Sequence, residues 1–269
     1  MEHTDQPLWL DVDDGFGQRR LAYRVRHGEL PGIVWMQGLK SDMVSTKASA
    51  LDDWAAGCGA QLLHFDYSGH GETGGRFTDA TISQWLADCA AAFVRLTSGP
   101  QVVVGSSMGG YLAMLLQKFL AASDPDAAKR IAALVLIAPA WDMTEALMWE
   151  KFPPEARAAI ERDGIWHRPS AYGEPYPLTR ALIEDGRNHL FAGTFWEPPI
   201  PVTIIHGRLD PDVPFSHSER LVATSRGSPI ELIEVMDGEH RLSRPKDLDL
   251  ILSAVARART TVATSQPRS

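Results

Sequence analysis

The chain has 269 residues, of which 44% are hydrophobic, and its formal net charge is −8 at pH 7. A chain of this length and apolar content can bury one large core, which excludes an intrinsically disordered protein. The negative charge and the lack of a basic cluster argue against nucleic acid or an anionic membrane surface as a partner.

The first residues contain no apolar segment typical of a secretory signal, and no apolar stretch approaches the length needed to span a bilayer. The two cysteines, Cys58 and Cys89, both fall within apolar helical patterns. We therefore expect small core residues in a reducing compartment rather than a disulfide. The sequence predicts a cytoplasmic protein without a transmembrane segment.

Short apolar runs rich in β-branched residues alternate with helical patterns along the chain. Residues 8–12 and 21–25 come first and are expected to form an antiparallel hairpin at a sheet edge. Six further strands are predicted at 32–36, 61–66, 101–104, 131–138, 202–206 and 230–235. This alternation indicates an α/β fold with about eight strands, mostly parallel and flanked by helices.

Two helices have clear sequence signals. After Thr81, apolar residues recur at helical spacing, and Thr81 with Gln84 forms a capping-box pattern. Pro245 is expected to begin the terminal helix, because proline is favoured in the first turn. The first of these two helices is the more clearly marked.

The alternation of strands and helices breaks between residues 139 and 199, a stretch rich in tryptophan and proline. We expect a helical cap there, inserted into a core formed by 1–138 and 200–259, with a flexible tail at 260–269. Asp142 and Glu145 are spaced as the N-cap and N3 residues of a cap helix. The candidates for an acyl-binding pocket are Trp141, Met143, Met148 and Trp149, although packing within the cap explains each residue alone better.

The run VVVGSSMGG at 102–110 contains the pattern G-x-S-x-G between a predicted strand and a predicted helix. Such a turn exposes a serine hydroxyl, and its glycines relieve crowding where the helix leaves the strand. The alternative is an ordinary tight turn that collects small residues. Given the strand before it and the helix after it, the pattern predicts that Ser107 is a nucleophile.

A serine nucleophile needs a base within hydrogen-bond reach and a third group that orients the base. The segments HGRLDPDVP and MDGEH follow two successive predicted strands and carry Asp210, Asp212 and His240. Functional groups of open α/β sheets collect at the carboxyl ends of strands, so Ser107, Asp210 and His240 are expected to converge. Asp210 is preferred over Asp212 because it lies nearer the end of its strand.

The oxyanion formed on attack needs preorganised donors, for which the backbone N–H groups of Leu39 and Met108 are the candidates. His206 is expected to be packed or hydrogen-bonded, and His70 to stabilise its loop, rather than to act in catalysis. No metal or organic cofactor is predicted, because the sequence has no H-E-x-x-H motif, clustered ligand set or dinucleotide fingerprint.

These motifs in this order resemble the α/β-hydrolase superfamily, and the resemblance extends from about residue 19 to 258. Within it the chain looks most like the branch of the mitochondrial palmitoyl-protein thioesterase, also described as a mycophenolic acid acyl-glucuronide esterase, and its bacterial relatives. The matching stretches are STKA at 45–48, FDYSG at 65–69, GPQVVVGSSMGG at 99–110 and HGRLDPDVP at 206–214. The resemblance implies Ser107 as nucleophile, His240 as general base and acid, Asp210 as its orienting carboxylate, and Leu39 and Met108 as oxyanion donors.

The predicted function is a serine hydrolase that cleaves a small-molecule carboxylic ester or thioester through an acyl-enzyme. Because the chain lacks a mitochondrial presequence and its cap matches only loosely, neither a palmitoylated protein nor a glucuronide carries over as substrate. Two alternatives stay open: peptide or C–C bond hydrolysis on the same fold, and a small-molecule receptor without turnover. Acyl length, leaving group and oligomeric state are left undetermined.

Overall fold

The computed structural model describes residues 6–170, 173–194, 196–225 and 230–265. The strands are β1 (Leu8–Asp14), β2 (Gly17–Arg26), β3 (Glu29–Met36), β4 (Ala60–Phe65), β5 (Gln101–Ser106), β6 (Ile131–Ile137), β7 (Ile165–Ser170), β8 (Gly173–Thr179), β9 (Val202–Gly207) and β10 (Ile230–Val235). The α-helices are α1 (Thr46–Cys58), α2 (Ile82–Leu96), α3 (Met108–Ser123), α4 (Pro125–Ala128), α5 (Pro154–Asp163), α6 (Arg180–Gly186), α7 (Phe215–Thr224) and α8 (Pro245–Ser265).

The main sheet has eight strands in the order β1-β2-β4-β3-β5-β6-β9-β10. The β1–β2 and β2–β4 pairs are antiparallel, and the pairs from β4 onward are parallel. This is the α/β-hydrolase fold, and it confirms the predicted mixed sheet with an antiparallel hairpin at its edge. Because β5, β9 and β10 run in the same direction, the loops after all three meet at one edge of the sheet.

Alternating apolar side chains explain why helices cover both faces of the sheet. On β3, Val34 and Met36 pack on the side of α2 and α3, whereas Ile33 and Trp35 pack on the side of α1 and α8. Successive side chains of a strand point to opposite faces, so a continuous apolar run needs cover on both. The central strands are buried in this way, which fixes the carboxyl ends of the strands in space.

The two predicted helix starts are present. Thr81 accepts a hydrogen bond from the backbone N–H of Gln84 at 3.4 Å and caps α2, and Pro245 is the first residue of α8. Helix α8 continues to Ser265, into the segment that was expected to be a flexible tail, while 266–269 lie outside the described residues. None of the helices within the described ranges is long and apolar enough to cross a bilayer.

Both cysteines are free, but only one is a core residue. Cys89 is buried on α2, as expected, whereas Cys58 is exposed. The expectation for Cys58 was wrong because it is the last residue of α1, next to Gly59 in the left-handed conformation that ends the helix. Residues 56–59 are all exposed, so this end of α1 lies at the protein surface, where an apolar pattern does not imply burial.

The segment between β6 and β9, called the cap after the sequence prediction, has mixed structure. It contains a π-helical turn at Met143–Met148, helices α5 and α6, and an antiparallel hairpin of β7 and β8. The sequence predicted helices but not this hairpin, because Pro169, Pro175 and Pro177 interrupt both strands and proline argues against a strand. Each strand of an isolated pair has an unpaired edge, which is where proline is tolerated.

Candidate active site

The strand-to-helix turn after β5 holds Ser107 in a strained conformation, with φ of 55° and ψ of −117°. A non-glycine residue with positive φ is uncommon and is typical of sites where geometry serves a function. The neighbouring glycines are required by close packing. A Cβ on Gly105 would lie 2.4 Å from the carbonyl oxygen of Gly109, and one on Gly109 would lie 2.1 Å from that of Met36.

Three side chains from three loops form a continuous hydrogen-bonded chain at this edge of the sheet. Ser107 Oγ lies 3.1 Å from Nε2 of His240, and Nδ1 of His240 lies 2.7 Å from Oδ2 of Asp210. Because a carboxylate only accepts, Nδ1 carries the proton and Nε2 is free to accept from the serine hydroxyl. The residues predicted from the sequence therefore come together in the order that a serine–histidine–aspartate triad requires.

The carboxylate of Asp210 is held by donors on both oxygens. Oδ1 accepts the backbone N–H groups of Asp212 and Val213, each at 2.8 Å, and Oδ2 accepts from His240 and, at 3.2 Å, from His206. Burial alone would raise the pKa of Asp210, but the hydrogen bonds from His206 and His240 outweigh it and hold the pKa well below its usual range. Asp210 is thus a fixed anion behind His240.

The contact between His206 and Asp210 was not predicted from the sequence. Its Nε2 lies 2.9 Å from the carbonyl oxygen of Val213, which can only accept, so Nε2 carries the proton and shares it with Asp210. Nδ1 then accepts the hydroxyl proton of Ser218 at 2.7 Å. The prediction of a hydrogen-bonded His206 is confirmed, and its partner proves to be the carboxylate that orients His240.

The loop that carries His240 is tied to α1 by Lys47, a residue for which the sequence predicted no role. Lys47 Nζ donates to the carbonyl oxygen of Arg241 and lies 3.5 Å from Oγ of Ser243. Burial lowers the pKa of Lys47 to about 8. The only signal in the sequence was the position of Lys47 within the STKA stretch.

The loop after β3 borders the nucleophile. A Cβ placed on Gly38 would lie 3.4 Å from Cβ and 4.0 Å from Oγ of Ser107, so the Gly38 backbone is in close contact with the serine. Leu39, the next residue, lines the pocket in front of Ser107. Met108 is buried at the first turn of α3. Both residues whose backbone N–H groups were predicted as oxyanion donors are therefore neighbours of Ser107 in the structure.

A pocket of about 880 Å³ opens in front of Ser107 and His240. Its cap side is largely apolar and includes Met143, Leu147 and Met148. Its other side is polar, with side chains from the loop after β3 and the start of α1. The polar lining residues from these two segments are Lys40, Ser41, Asp42, Ser45, Thr46 and Lys47.

Two of the four cap residues predicted to line this pocket lie elsewhere. Trp141 stacks on His217 at 4.5 Å between ring centroids and donates its Nε1–H to the carbonyl oxygen of that residue at 3.0 Å. Trp149 packs beneath the guanidinium groups of Arg157 and Arg187. These partners hold both indoles away from the pocket, whereas Met143 and Met148 line it.

Asp142 has a different role from the helix cap that was predicted. An N-cap residue has an extended backbone, but Asp142 has φ of 53°, and its side chain makes no cap hydrogen bond. Its carboxylate instead accepts the backbone N–H groups of Phe191 and Ala192 at 2.7 and 2.8 Å. Glu145 pairs with Arg187 at 2.9 Å. The two acidic residues thus tie the beginning of the cap to its end.

Asp210, Asp212 and His240 are the group within the described residues whose spacing could hold a metal ion, with ligand atoms within 4.8 Å of one another. In the arrangement observed, however, the proton on His240 Nδ1 already occupies the space between the imidazole and Asp210. A cation would have to displace that proton and break the contact that orients His240.

The fold and this site define an α/β-hydrolase. A family model described as "Alpha/beta hydrolase family" matches residues 30–248, and the chain belongs to that family. Among its relatives, the chain is 30% identical over 237 residues to the mitochondrial palmitoyl-protein thioesterase ABHD10 of Bos taurus, covering 87% of this chain and 75% of that one.

Among the solved structures that resemble this chain, two cover nearly all of it at more than 25% identity. A putative hydrolase from Agrobacterium vitis S4 superposes with a TM-score of 0.90 at 38% identity, covering 94% of this chain and 98% of that one. The alpha/beta hydrolase domain-containing protein 10 from mouse gives a TM-score of 0.82 at 26% identity, with 95% and 99% coverage. The predicted family resemblance is confirmed. The name of the Bos taurus relative describes that protein as mitochondrial. The cytoplasmic location inferred from this sequence stays a prediction.

Proposed function

We propose that this protein is a serine hydrolase that cleaves carboxylic esters or thioesters through an acyl-enzyme intermediate. The observation that carries the proposal is the hydrogen-bonded chain from Ser107 Oγ through His240 to Asp210, with distances of 3.1 and 2.7 Å. The name of the thioesterase relative from Bos taurus supports the choice of an acyl ester or thioester as substrate.

In the first half-reaction Ser107 Oγ adds to the acyl carbonyl carbon while its proton moves to Nε2 of His240. The tetrahedral intermediate collapses when the bond to the alcohol or thiol breaks, and His240 returns the proton to that leaving group. Water then repeats the sequence on the acyl-enzyme, releasing the carboxylic acid and restoring Ser107. Asp210 remains an anion throughout and stabilises the imidazolium.

The backbone N–H groups of Leu39 and Met108 stabilise the oxyanion in this proposal. Both residues adjoin Ser107, one in the loop after β3 and the other at the N-terminus of α3. Donors fixed in place before the reaction carry no reorganisation cost when charge develops on the carbonyl oxygen, and each is worth roughly 10²–10³ in rate. The N-terminus of a 16-residue helix also favours negative charge nearby.

The division of the pocket suggests how the substrate lies. The apolar cap side, with Met143, Leu147 and Met148, suits the acyl chain, because burying each methylene of the chain is favourable by about 0.8 kcal/mol. The polar side at the start of α1 suits the alcohol or thiol leaving group. Flexible methionine side chains adapt to chains of different shape.

The test is active-site labelling with a fluorophosphonate probe followed by peptide mapping, together with kinetics on p-nitrophenyl esters and acyl thioesters of increasing chain length. We expect label on Ser107, loss of label and turnover in Ser107→Ala, and retention of both in Ser106→Ala, the adjacent serine at the same strand end. A folded protein that neither labels nor turns over these substrates contradicts the proposal and favours a receptor. Activity on aminoacyl arylamides but not on esters favours a peptidase.

A further inference from the structure

His70 lies in the loop after β4 and is buried, with 3% of its surface exposed. Three aromatic rings surround it edge-on. The rings of Tyr67, Phe77 and Trp85 have centroids 5.5, 5.4 and 5.2 Å from that of His70. This packing fixes the plane of the imidazole and leaves its two nitrogens with one partner each.

Those partners determine where the imidazole carries its proton. Nδ1 lies 3.3 Å from the carbonyl oxygen of Ser68, which can only accept, so Nδ1 is protonated. Nε2 is then a bare lone pair, and it accepts the backbone N–H of Lys40 at 3.1 Å. The Ser68 oxygen also receives the indole N–H of Trp85 at 3.0 Å, so it keeps a donor without His70. The N–H of Lys40 has no such second partner among the described contacts.

Lys40 belongs to a tight turn directly beside the nucleophile. The N–H of Ser41 donates to the carbonyl oxygen of Gly38 at 3.1 Å, and Lys40, the third residue of this turn, has φ of 58° while Leu39 does not have a positive φ. This is the pattern of a type II turn, which normally carries glycine at that position. A type I turn needs no positive φ and differs mainly by rotation of the central Leu39–Lys40 peptide.

We propose that His70 is a positioning residue that holds the oxyanion loop by capturing the N–H of Lys40. Two peptide planes meet at Leu39, and they are linked only by its φ and ψ. Fixing the plane that bears the Lys40 N–H therefore restricts the plane that bears the Leu39 N–H, the donor assigned to the oxyanion. The inference rests on the proposed function, because a fixed donor matters only if an oxyanion forms at Ser107.

The protonation state of His70 is consistent with this role. Burial, together with the charge of Lys40, lowers the pKa of His70 to about 4 despite the hydrogen bond to the Ser68 carbonyl oxygen, which raises it. The ammonium of Lys40 lies 4.7 Å from the ring centroid of Phe77, which keeps it beside the same aromatic cluster. His70 is therefore neutral across the physiological range, and its Nε2 lone pair stays available to accept.

The first experiment compares His70→Phe with wild type and with His27→Phe, a matched change at an exposed histidine. Phenylalanine keeps an aromatic ring among Tyr67, Phe77 and Trp85 but has no acceptor for Lys40. We expect kcat and the rate of fluorophosphonate labelling to fall ~10- to 100-fold in His70→Phe, with KM changed less than threefold. His27→Phe is expected to match wild type.

A rescue separates positioning from general damage. Glycine adopts a φ near +58° without steric cost, so Lys40→Gly in the His70→Phe background should recover part of the lost kcat. A variant that had merely lost packing would gain nothing from that change. Full activity in His70→Phe, or no recovery in the double variant, overturns the positioning role.

The hydrogen bond itself can be tested in the wild-type protein, whether or not the variants fold. With uniform ¹⁵N labelling, we expect a through-hydrogen-bond coupling between the Lys40 amide nitrogen and Nε2 of His70, and imidazole shifts of the Nδ1–H tautomer. Absence of the coupling, or the opposite tautomer, overturns the inference. Failure of the proposed function looks different: wild type would show the coupling but no labelling or turnover.

Discussion

His206 Nε2 lies 3.2 Å from Oδ2 of Asp210, the same oxygen that accepts the Nδ1–H of His240 at 2.7 Å. One carboxylate oxygen is therefore placed between two imidazoles, one buried and one facing Ser107. The buried imidazole is itself fixed by Ser218 and Val213. The buried His206 therefore helps to fix the carboxylate of Asp210, and this carboxylate in turn orients His240.

We expect His206→Phe to lower kcat by about 10-fold with little change in KM, because a hydrogen bond to a charged group is worth about 1.5–3 kcal/mol and only part of it is felt in the transition state. The ring volume is kept, but Asp210 and Val213 lose a donor and Ser218 loses its acceptor. Steady-state kinetics with a p-nitrophenyl ester give kcat and KM for the variant and for wild type. Unchanged kcat would show that the two backbone N–H donors orient Asp210 on their own.

Asp210→Asn should lower kcat by about 10⁴-fold while the fold is kept, because an amide favours the wrong tautomer of His240. Asp212→Asn is the matched control, since Asp212 lies two residues away and contacts Asp210 through its backbone N–H, which the substitution preserves. It should keep activity within a fewfold of wild type. The reverse ranking of the two variants would assign the orienting role to Asp212.

Gly109→Ala should destabilise the fold by about 3 kcal/mol, because its Cβ would lie 2.1 Å from the backbone carbonyl oxygen of Met36, which cannot move without disturbing β3. Gly57→Ala is the control on α1, where no atom beyond the adjacent residues and the helix's own backbone lies within 4 Å of the added Cβ. It should be stabilising by about 0.5–1 kcal/mol. Urea unfolding of both variants gives the free energies, and equal stability would contradict the close packing at Gly109.

His217 should make the fold less stable in mild acid. Its Nε2–H donates to the carbonyl oxygen of Trp141 at 2.7 Å, and its Nδ1 accepts from Arg220 at 2.7 Å. Burial lowers its pKa to about 4 in the folded state, below the ordinary value of about 6.5, so the unfolded chain binds more protons between these values. The stabilisation that comes from keeping His217 neutral is fully present above pH ~6.5, and it is lost as the pH falls toward 4.

We therefore expect wild type to lose about 2 kcal/mol more than His217→Gln between pH 7 and pH 5. The comparison uses the difference between the two proteins at each pH, so titration of other groups, including His70, cancels. Chemical denaturation at the two pH values provides the measurement. Parallel losses in both proteins would mean that His217 is not held neutral.

Asp142→Asn should loosen the far end of the cap. The change keeps a residue type that tolerates a positive φ, but it removes the charge that receives the N–H groups of Phe191 and Ala192. We expect faster hydrogen exchange around residues 187–192 and a two- to tenfold rise in KM. Asp163→Asn, at an exposed carboxylate on α5, serves as the control. Equal hydrogen exchange in both variants would contradict the stabilising role of the contacts that Asp142 makes with Phe191 and Ala192.

The sequence by itself determined the eight-stranded sheet, the turn at Ser107 and the convergence of Asp210 with His240. Each depends on short-range physics: alternation of apolar residues along a strand, the absence of a Cβ at Gly105 and Gly109, and the direction of parallel strands. The strands and the turn at Ser107 are each determined within one segment of the chain, and the convergence of Asp210 with His240 follows from the parallel direction of their strands. They can therefore be predicted before any contact is known.

Only the tertiary structure decided those pairings of distant residues that the direction of the strands does not bring together. Asp142 is bonded to residues near position 191, Lys47 to the loop of His240, and His70 to Lys40. The energy of such a contact depends on the relative orientation and the burial of two segments. Neither segment contains a local sequence pattern from which its partner could be predicted. The same reason explains why Trp141 packs on His217 instead of lining the pocket.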